Sequence, residues 1–305
     1  MSAPILTGTC SWTDPTLIEC GRFYPRRSMS ARERLVHYAE QFPIVEVDST
    51  YYAPPTERNA RLWAERTPPG FVFDVKVFAL LTGHGARIDR LPPELRDAVE
   101  RPPRPADDRR PPNVYLRHLS PAGIEAVWEL HRTALQPLRD ASKLGALLFQ
   151  FPPWFRKDTR SERYLARLPE RLPDDRIAVE FRGGGWMEPE AAGATLALLE
   201  AHGLAYVSVD EPQGFRSSTP PVAAVTGGLA YVRFHGRNTA TWESRTASSS
   251  DRFNYLYSED ELREWVPRVR ELARGADMVH VLFNNNFEDV GVRNARQMTL
   301  LLAEG

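Results

Sequence analysis

The chain has 305 residues, 42% hydrophobic and 26% charged, which excludes a mostly disordered polymer, a collagen-like fibre and a coiled coil. Thirty-nine Lys and Arg stand against forty Asp and Glu, so any surface for nucleic acid or membrane must come from local clustering rather than overall charge. Two cysteines, Cys10 and Cys20, are too few for a disulfide framework or a four-ligand zinc site. The N-terminus lacks a signal-peptide pattern and no apolar run is long enough to span a bilayer, so a cytoplasmic protein without a membrane partner is expected.

In chain order, apolar runs with strand character fall at 5–9, 44–49, 71–77, 144–151, 176–181, 204–210, 229–235 and 277–285. Helical patterns lie between most of them, at 31–41, 56–66, 124–139, 189–202, 259–274 and 292–302. Eight strands alternating with helices predict an α/β fold, a TIM-like (β/α)8 barrel forming one domain over 1–305. The rival, a doubly wound open sheet, lacks a G-x-G-x-x-G turn after an early strand. Two segments interrupt the rhythm. Residues 81–118 are rich in Pro and Arg and are predicted as an extended insertion after the third strand. Residues 236–257 form a polar loop after the seventh strand, either a lid over the site or a solvated excursion.

Alternation splits each strand into two faces. Outer helices need the apolar face, so the faces bearing Glu46, Lys76, Glu180, Asp210, Arg233, His235 and Asn284 are expected to point into the barrel. These residues fall late in their strands, at the C-terminal mouth where barrel enzymes keep their sites. Inward charges number five carboxylates (Glu46, Asp48, Asp74, Glu180, Asp210) against three cations (Lys76, Arg182, Arg233), an excess that calls for a divalent cation, shared protons or a hydrated ion-pair network. No local His-x-x-x-His spacing supports the metal, which stays an open alternative.

Several residues admit two readings. Lys76 suits an ion-pair partner or an anion-binding lysine. His235 can act as base, ligand or hydrogen-bond donor, whereas Cys10 fits a buried small apolar residue better than a nucleophile. His84, among turn-forming residues, is either an exposed loop histidine or one that swings over the mouth. Gly183-Gly184-Gly185 can cradle an anion or simply turn. Arg237, Trp242, Arg245, Arg252, Tyr255 and Tyr257 combine charge with rings, the equipment for a base or sugar next to a phosphate.

At these strand ends the chain resembles the YecE-like family, domain of unknown function 72. The motifs are Gly8-Thr-Cys-Ser-Trp12, Val45-Glu-Val-Asp-Ser-Thr-Tyr-Tyr52, Phe71-Val-Phe-Asp-Val-Lys76, Leu144-Gly-Ala-Leu-Leu-Phe-Gln-Phe151, Val179-Glu-Phe-Arg182, Tyr231-Val-Arg-Phe-His-Gly236 and Phe283-Asn-Asn285. The resemblance implies a barrel related to the TIM fold, similar in shape to endonuclease IV and sugar isomerases, with an unassigned activity. It places the family's motif residues at Glu46, Ser49, Tyr52, Lys76, Gln150, Glu180, Arg182, Trp186, Asp210, Arg233, His235 and Asn284. The chain departs from the family pattern at Asp48, where an Asn is usual, and at Gly183-Gly184-Gly185, which lack the usual histidine and serine.

The leading expectation is an enzyme acting on a phosphorylated sugar or a nucleic-acid phosphodiester. Glu180, Asp210, His235, Lys76 and Glu46 are its candidate catalytic residues. Tyr52, Gln150, Arg182, Trp186, Arg233, Arg237, Tyr257 and Asn284 are its candidate ligand contacts. On this expectation Glu180→Gln leaves folding intact and abolishes turnover. The alternative is a non-catalytic protein that binds single-stranded nucleic acid or another polyanion through the 236–257 loop.

Overall fold

The computed structural model describes residues 2–101, 111–244 and 249–304. Its strands, in chain order, are β1 (Ile5–Thr9), β2 (Ile44–Val47), β3 (Val72–Lys76), β4 (Ala86–Arg87), β5 (Asn113–Val114), β6 (Leu144–Phe151), β7 (Ile177–Phe181), β8 (Leu204–Asp210), β9 (Leu229–Phe234) and β10 (Met278–Phe283). All but β4 and β5 close into a barrel in the order β1-β10-β9-β8-β7-β6-β3-β2, each neighbour parallel to the next. This is the α/β barrel that the strand–helix rhythm predicts.

Local chemistry fixes the helix ends. Ser30 caps the helix Ala31–Gln41, its hydroxyl accepting the Glu33 N–H while the Glu33 carboxylate accepts the Ser30 N–H. Ser258 and Glu261 repeat the arrangement at the start of Glu259–Gly275. The single helix expected at 124–139 is instead two, Pro121–Ala134 and Gln136–Asp140. Pro137 explains the break: lacking an N–H, it suits the first turn of a new helix better than the interior of an old one. The helices Thr159–Ala166 and Leu168–Arg171 join β6 to β7, whereas residues 211–228 join β8 to β9 without a helix. No helix among the described residues is long and apolar enough to cross a membrane.

Two apolar layers hold the barrel. Between strands and helices lie Phe73, Phe149, Phe151, Phe181, Phe234 and Phe283, all essentially buried, with the rings of Phe234 and Phe283 stacked 4.6 Å apart. Ile44, Ala146, Leu148, Ala178, Val207 and Leu282 fill the interior. Beneath them Asp74 spans the floor, accepting the Ala146 N–H at 2.8 Å and facing His280 Nδ1 at 2.9 Å. Gly145 makes this possible, because a Cβ there would stand 2.4 Å from Asp74 Oδ1.

The insertion after β3 is less extended than its prolines suggest. It holds the β4–β5 antiparallel pair and a short helix, Pro93–Asp97, and it buries Leu91, Leu95 and Val114. Pro93 sits in the first turn of that helix, a position that tolerates proline. Residues 102–110 of the Pro/Arg run lie outside the described residues.

Candidate functional site

The late residues of the barrel strands converge at the mouth in two tiers. The lower tier is a chain of alternating charges. Arg233 Nη2 donates to Glu46 Oε1 at 2.5 Å and Arg233 Nη1 to Glu180 Oε2 at 2.6 Å. Arg182 Nε lies 2.9 Å from Glu180 Oε1, and Arg182 Nη1 donates to Glu211 Oε2 at 2.5 Å. Three carboxylates thus alternate with two guanidiniums. The spare oxygens are also engaged: Tyr231 OH donates to Glu46 Oε2 at 2.7 Å, Gln150 Nε2 to Glu180 Oε1 at 2.7 Å, and the Thr219 N–H to Glu211 Oε1 at 2.7 Å. His235 Nε2 lies 3.2 Å from Glu180 Oε1, and Asn284 Nδ2 is 2.9 Å from His235 Nδ1.

Burial and charge set the protonation of this tier. Burial pushes Glu46 up to about 8 against the pull of Arg233, and the Asp48 charge adds to the rise. Glu180 is equally buried, yet Arg233, Arg182 and His235 hold it well below the ordinary carboxylate range. Glu46 and Glu180 share one guanidinium, so the proton rests on Glu46, which has one guanidinium within ion-pair reach, rather than on Glu180, which has two. Glu211 is raised by burial to about 8. His235 falls to about 3 through burial and the Arg182 charge, so its imidazole is neutral.

The upper tier is smaller and open. Lys76 Nζ stands 3.3 Å from Asp48 Oδ1, with side chains 13% and 22% exposed, and Arg233 Nη2 is 3.8 Å from the same oxygen. That buried Asp48 oxygen has no hydrogen-bond partner among the described residues. Lys76 Nζ also lies 4.9 Å from the centre of the Tyr51 ring, which meets Tyr52, 57% exposed, edge to face. On the opposite side the mouth is covered. Trp242 and Phe253, from the loop after β9, lie 6.3 and 6.2 Å from the His235 ring, and the Arg182 guanidinium is 5.2 Å from the Trp242 ring. The described part of the 236–257 loop therefore lies over the β7–β9 side of the mouth.

Of the sequence-derived candidates, the mouth brings together Glu46, Lys76, Gln150, Glu180, Arg182, Arg233, His235 and Asn284, with Tyr52 at the rim. His84 joins the rim as well, within 2.8 Å of Thr82 Oγ1 and beside the rings of Tyr51 and Trp154. Burial, with Lys76 and Arg182, lowers it to about 4. Cys10 is the buried small residue expected, its thiol pushed well up by burial.

Four candidates are corrected. Asp210 points away from the mouth: on β8 it is Ala205, Val207 and Val209 that face inward. Its carboxylate accepts from Tyr257 OH and Trp265 Nε1, each at 2.7 Å, and forms a two-pronged pair with Arg237 at 2.8 and 2.9 Å. The face assignment fails on β8 because no helix follows it to demand an apolar outer face, and polar partners stand outside instead: Arg237, Tyr257 and Trp265 for Asp210, and the Ala224 N–H for Ser208 Oγ at 3.4 Å. Arg237 is held by Asp210, Glu261 and Glu264, and Tyr257 by Asp210, so both anchor the loop. Trp186 is fully buried, stacked 4.5 Å from Phe181, with its N–H donated to the Phe155 carbonyl.

The three glycines serve the turn rather than an anion. All have φ between 69° and 81°, and a Cβ on Gly183 would lie 2.4 Å from the Arg216 carbonyl. The Gly183 N–H is already donated to Thr219 Oγ1. Of the other two loop arginines proposed for a polyanion, Arg245 lies outside the described residues and Arg252 donates to the Ser244 carbonyl at 3.4 Å.

Sequence reasoning missed Glu211 as a mouth residue and counted Asp48 only as a charge. The Val207–Val209 alternation, continued by two residues, reaches Glu211, which was the available signal. The acidic excess is met by guanidiniums, and among the described residues no group of three His, Cys, Asp or Glu side chains is placed to hold a metal ion.

Comparison with known proteins agrees with this architecture. Residues 6–305 match the family model described as protein of unknown function DUF72. The chain is 32% identical over 302 residues to the UPF0759 protein YunF of Bacillus subtilis (strain 168), covering 98% of this chain and 94% of that protein. A DUF72 family crystal structure from Thermotoga maritima MSB8 is similar with a TM-score of 0.75 and 29% identity, covering 99% of this chain and 100% of that one. Another, from Enterococcus faecalis V583, has a TM-score of 0.77 and 25% identity over 99% and 96% of the two chains. With a family model spanning nearly the whole chain and a curated relative above 30% identity, this protein belongs to the DUF72 family of barrel proteins of unknown function.

Proposed function

We propose that the barrel mouth is the active site of an acid–base enzyme for a phosphate-bearing sugar, either a free sugar phosphate or the sugar–phosphate backbone of a nucleic acid. The observation that carries this reading is the contrast between the two tiers. Every carboxylate of the lower tier is matched by a guanidinium and hydrogen-bonded, whereas Asp48 Oδ1 is a buried acceptor met only by ion-pair contacts, Lys76 Nζ at 3.3 Å and Arg233 Nη2 at 3.8 Å, without a hydrogen bond among the described residues. A buried acceptor left without a donor is costly, and a substrate hydroxyl would satisfy it.

In this reading Lys76 Nζ holds a phosphate oxygen. Asp48 takes the proton of the adjacent hydroxyl or of a water, and the charge that develops on that oxygen is met by Lys76. Glu46, Glu180, Arg233 and His235 are positioning residues. They fix the orientation and charge of the upper tier from below. The aromatic rim of Tyr51 and Tyr52 offers ring faces to a sugar.

The test is turnover over sugar phosphates and short oligonucleotides, read as phosphate release, isomerisation and strand cleavage in parallel, with Asp48→Asn and Lys76→Met as variants. The expected result is turnover of one class, lost in both variants while their folding is retained. Turnover that survives both substitutions, or a purified protein that converts no phosphate-bearing sugar, overturns the reading.

A further inference from the structure

A groove of about 600 Å³ runs outward from the mouth, between the loop after β3, the insertion and the segment after β6. Leu81, Ile124 and Phe155 contribute to its floor, and four exposed arginines, Arg117, Arg160, Arg163 and Arg167, line it. Some exposed guanidiniums elsewhere pair with acids, as Arg263 does with Glu259 at 2.7 Å. Others, such as Arg58 and Arg156, have no ion-pair partner among the described residues, so it is the alignment of these four groove arginines that sets them apart. None of these four has an ion-pair partner among the described residues. The acidic residue of the lining, Asp158, uses its carboxylate to cap the helix Thr159–Ala166 through the Ser161 N–H at 2.8 Å.

The arginines form a line rather than a cluster. Arg160, Arg163 and Arg167 follow the i, i+3, i+7 spacing of one helix face, and a rise of 1.5 Å per residue puts the first and last about 10 Å apart. A ligand with one anionic headgroup needs a cluster, whereas a repeating anion needs a line. The apolar floor asks that this polyanion also offer unstacked flat or apolar groups. At the end of the groove nearest the mouth, the Trp154 ring is 59% exposed, with its N–H donated to the Gly83 carbonyl at 3.3 Å. From Trp154 a row of rings leads inward: His84 at 5.6 Å, Tyr51 a further 5.3 Å on, and Lys76 Nζ 4.9 Å from the Tyr51 ring.

We infer that this groove is the track of a single-stranded nucleic acid, its phosphates on the arginine line, a base on Trp154, and the strand directed toward Lys76. Exposed ring faces are sequence-tolerant platforms for unstacked bases, and arginines supply the salt-sensitive hold on phosphate. The inference deepens the mouth reading by naming the strand as the phosphate-bearing sugar. It rests on that reading only for where the strand leads.

The test is fluorescence anisotropy of a short labelled oligothymidylate with the full chain, across a salt series. Duplex DNA of the same length and inorganic polyphosphate serve as competitors. Single-strand affinity is expected to fall with a log–log salt slope near −3, from about 0.7 per neutralised phosphate and four arginines. Trp154→Ala is expected to weaken it about tenfold, in line with one lost stacking contact. Arg160→Ala with Arg163→Ala should weaken it further and flatten the slope, and both competitors should displace the strand poorly. Binding that ignores these substitutions, polyphosphate that competes as well as the strand, or the absence of binding at low salt overturns the inference. The two readings fail separately: strand binding in the groove without turnover sinks the mouth reading alone, and turnover of free sugar phosphates without strand binding sinks this one alone.

Discussion

The two tiers of the mouth meet at the end of β2, where Glu46 and Asp48 stand two residues apart, yet they answer to different demands. In the lower tier Glu46, Arg233, Glu180, Arg182 and Glu211 compensate one another so fully that burial becomes tolerable. In the upper tier Asp48 and Lys76 meet at a looser 3.3 Å, partly open, with an acceptor left over. Charge alone therefore does not mark a reactive group. A fully matched ion network is architecture, and chemistry is to be sought where matching stops.

The largest expected effect tests the lower tier. Arg233→Met takes from the buried Glu180 carboxylate one of its two guanidiniums and from the protonated Glu46 its hydrogen-bond donor, and chemical denaturation is expected to show a loss of about 3–5 kcal/mol. A loss below about 1 kcal/mol would mean that the network is not what holds the mouth. Glu180→Gln should be destabilised in the same manner, because Glu180 neutralises both Arg233 and Arg182. This replaces the sequence-based expectation that the substitution leaves folding intact. It also makes Glu180→Gln a poor probe of catalysis.

Next comes the anchor on the far side of β8. Tyr257→Phe removes a hydrogen bond to the Asp210 carboxylate and should lower stability by about 1.5–3 kcal/mol while turnover at the mouth persists. Abolished turnover in a well-folded Tyr257→Phe protein would return Asp210 to the site.

The pH dependence follows with a smaller effect. Glu46 and Glu211 hold protons up to about 8 when folded but release them near the ordinary carboxyl value when unfolded, so both lower stability as pH rises from about 4.5 to about 8. His235 and His84 act in the opposite sense, since only the unfolded chain protonates them between about 6.5 and their folded values near 3 and 4. The contributions oppose each other below pH 6.5. Above it only the carboxyl terms remain, so denaturation midpoints should decline toward pH 8, and Glu46→Gln should flatten that decline. A slope unchanged by Glu46→Gln would show that its proton is not there.

The smallest stability effect belongs to the upper tier. Asp48→Asn and Lys76→Met should each change stability by less than about 1 kcal/mol, as partly exposed pairs do, although both are expected to abolish turnover. A large loss of stability in either variant would merge the two tiers into one.

The barrel itself was legible along the chain. Eight apolar runs landed on the eight barrel strands, and alternation placed Glu46, Lys76, Glu180, Arg182, Arg233, His235 and Asn284 on inward faces, with Gln150 added by the family resemblance. Those assignments hold where an apolar helix covers the outside of the strand. β8 shows the limit: its polar outer face looked like an inner one, because the rule presumes that polarity points inward and cannot see that Arg237, Tyr257 and Trp265 wait outside for Asp210 and the Ala224 N–H for Ser208. Trp186 failed for a related reason, since a tryptophan beside glycines suits a ligand platform and a stacked core equally well until its neighbours Phe155 and Phe181 are in place.

The sequence by itself determined which residues carry charge, their period along each strand, and hence a barrel with a charged mouth. Only the tertiary structure decided which of those charges meet. Arg233 joins Glu46 and Glu180 across 187 and 53 positions of chain, and Asp210 is claimed by Arg237 and a helix beyond it. Partnership among buried charges depends on distance and desolvation, and neither is a property of the order in which residues are joined.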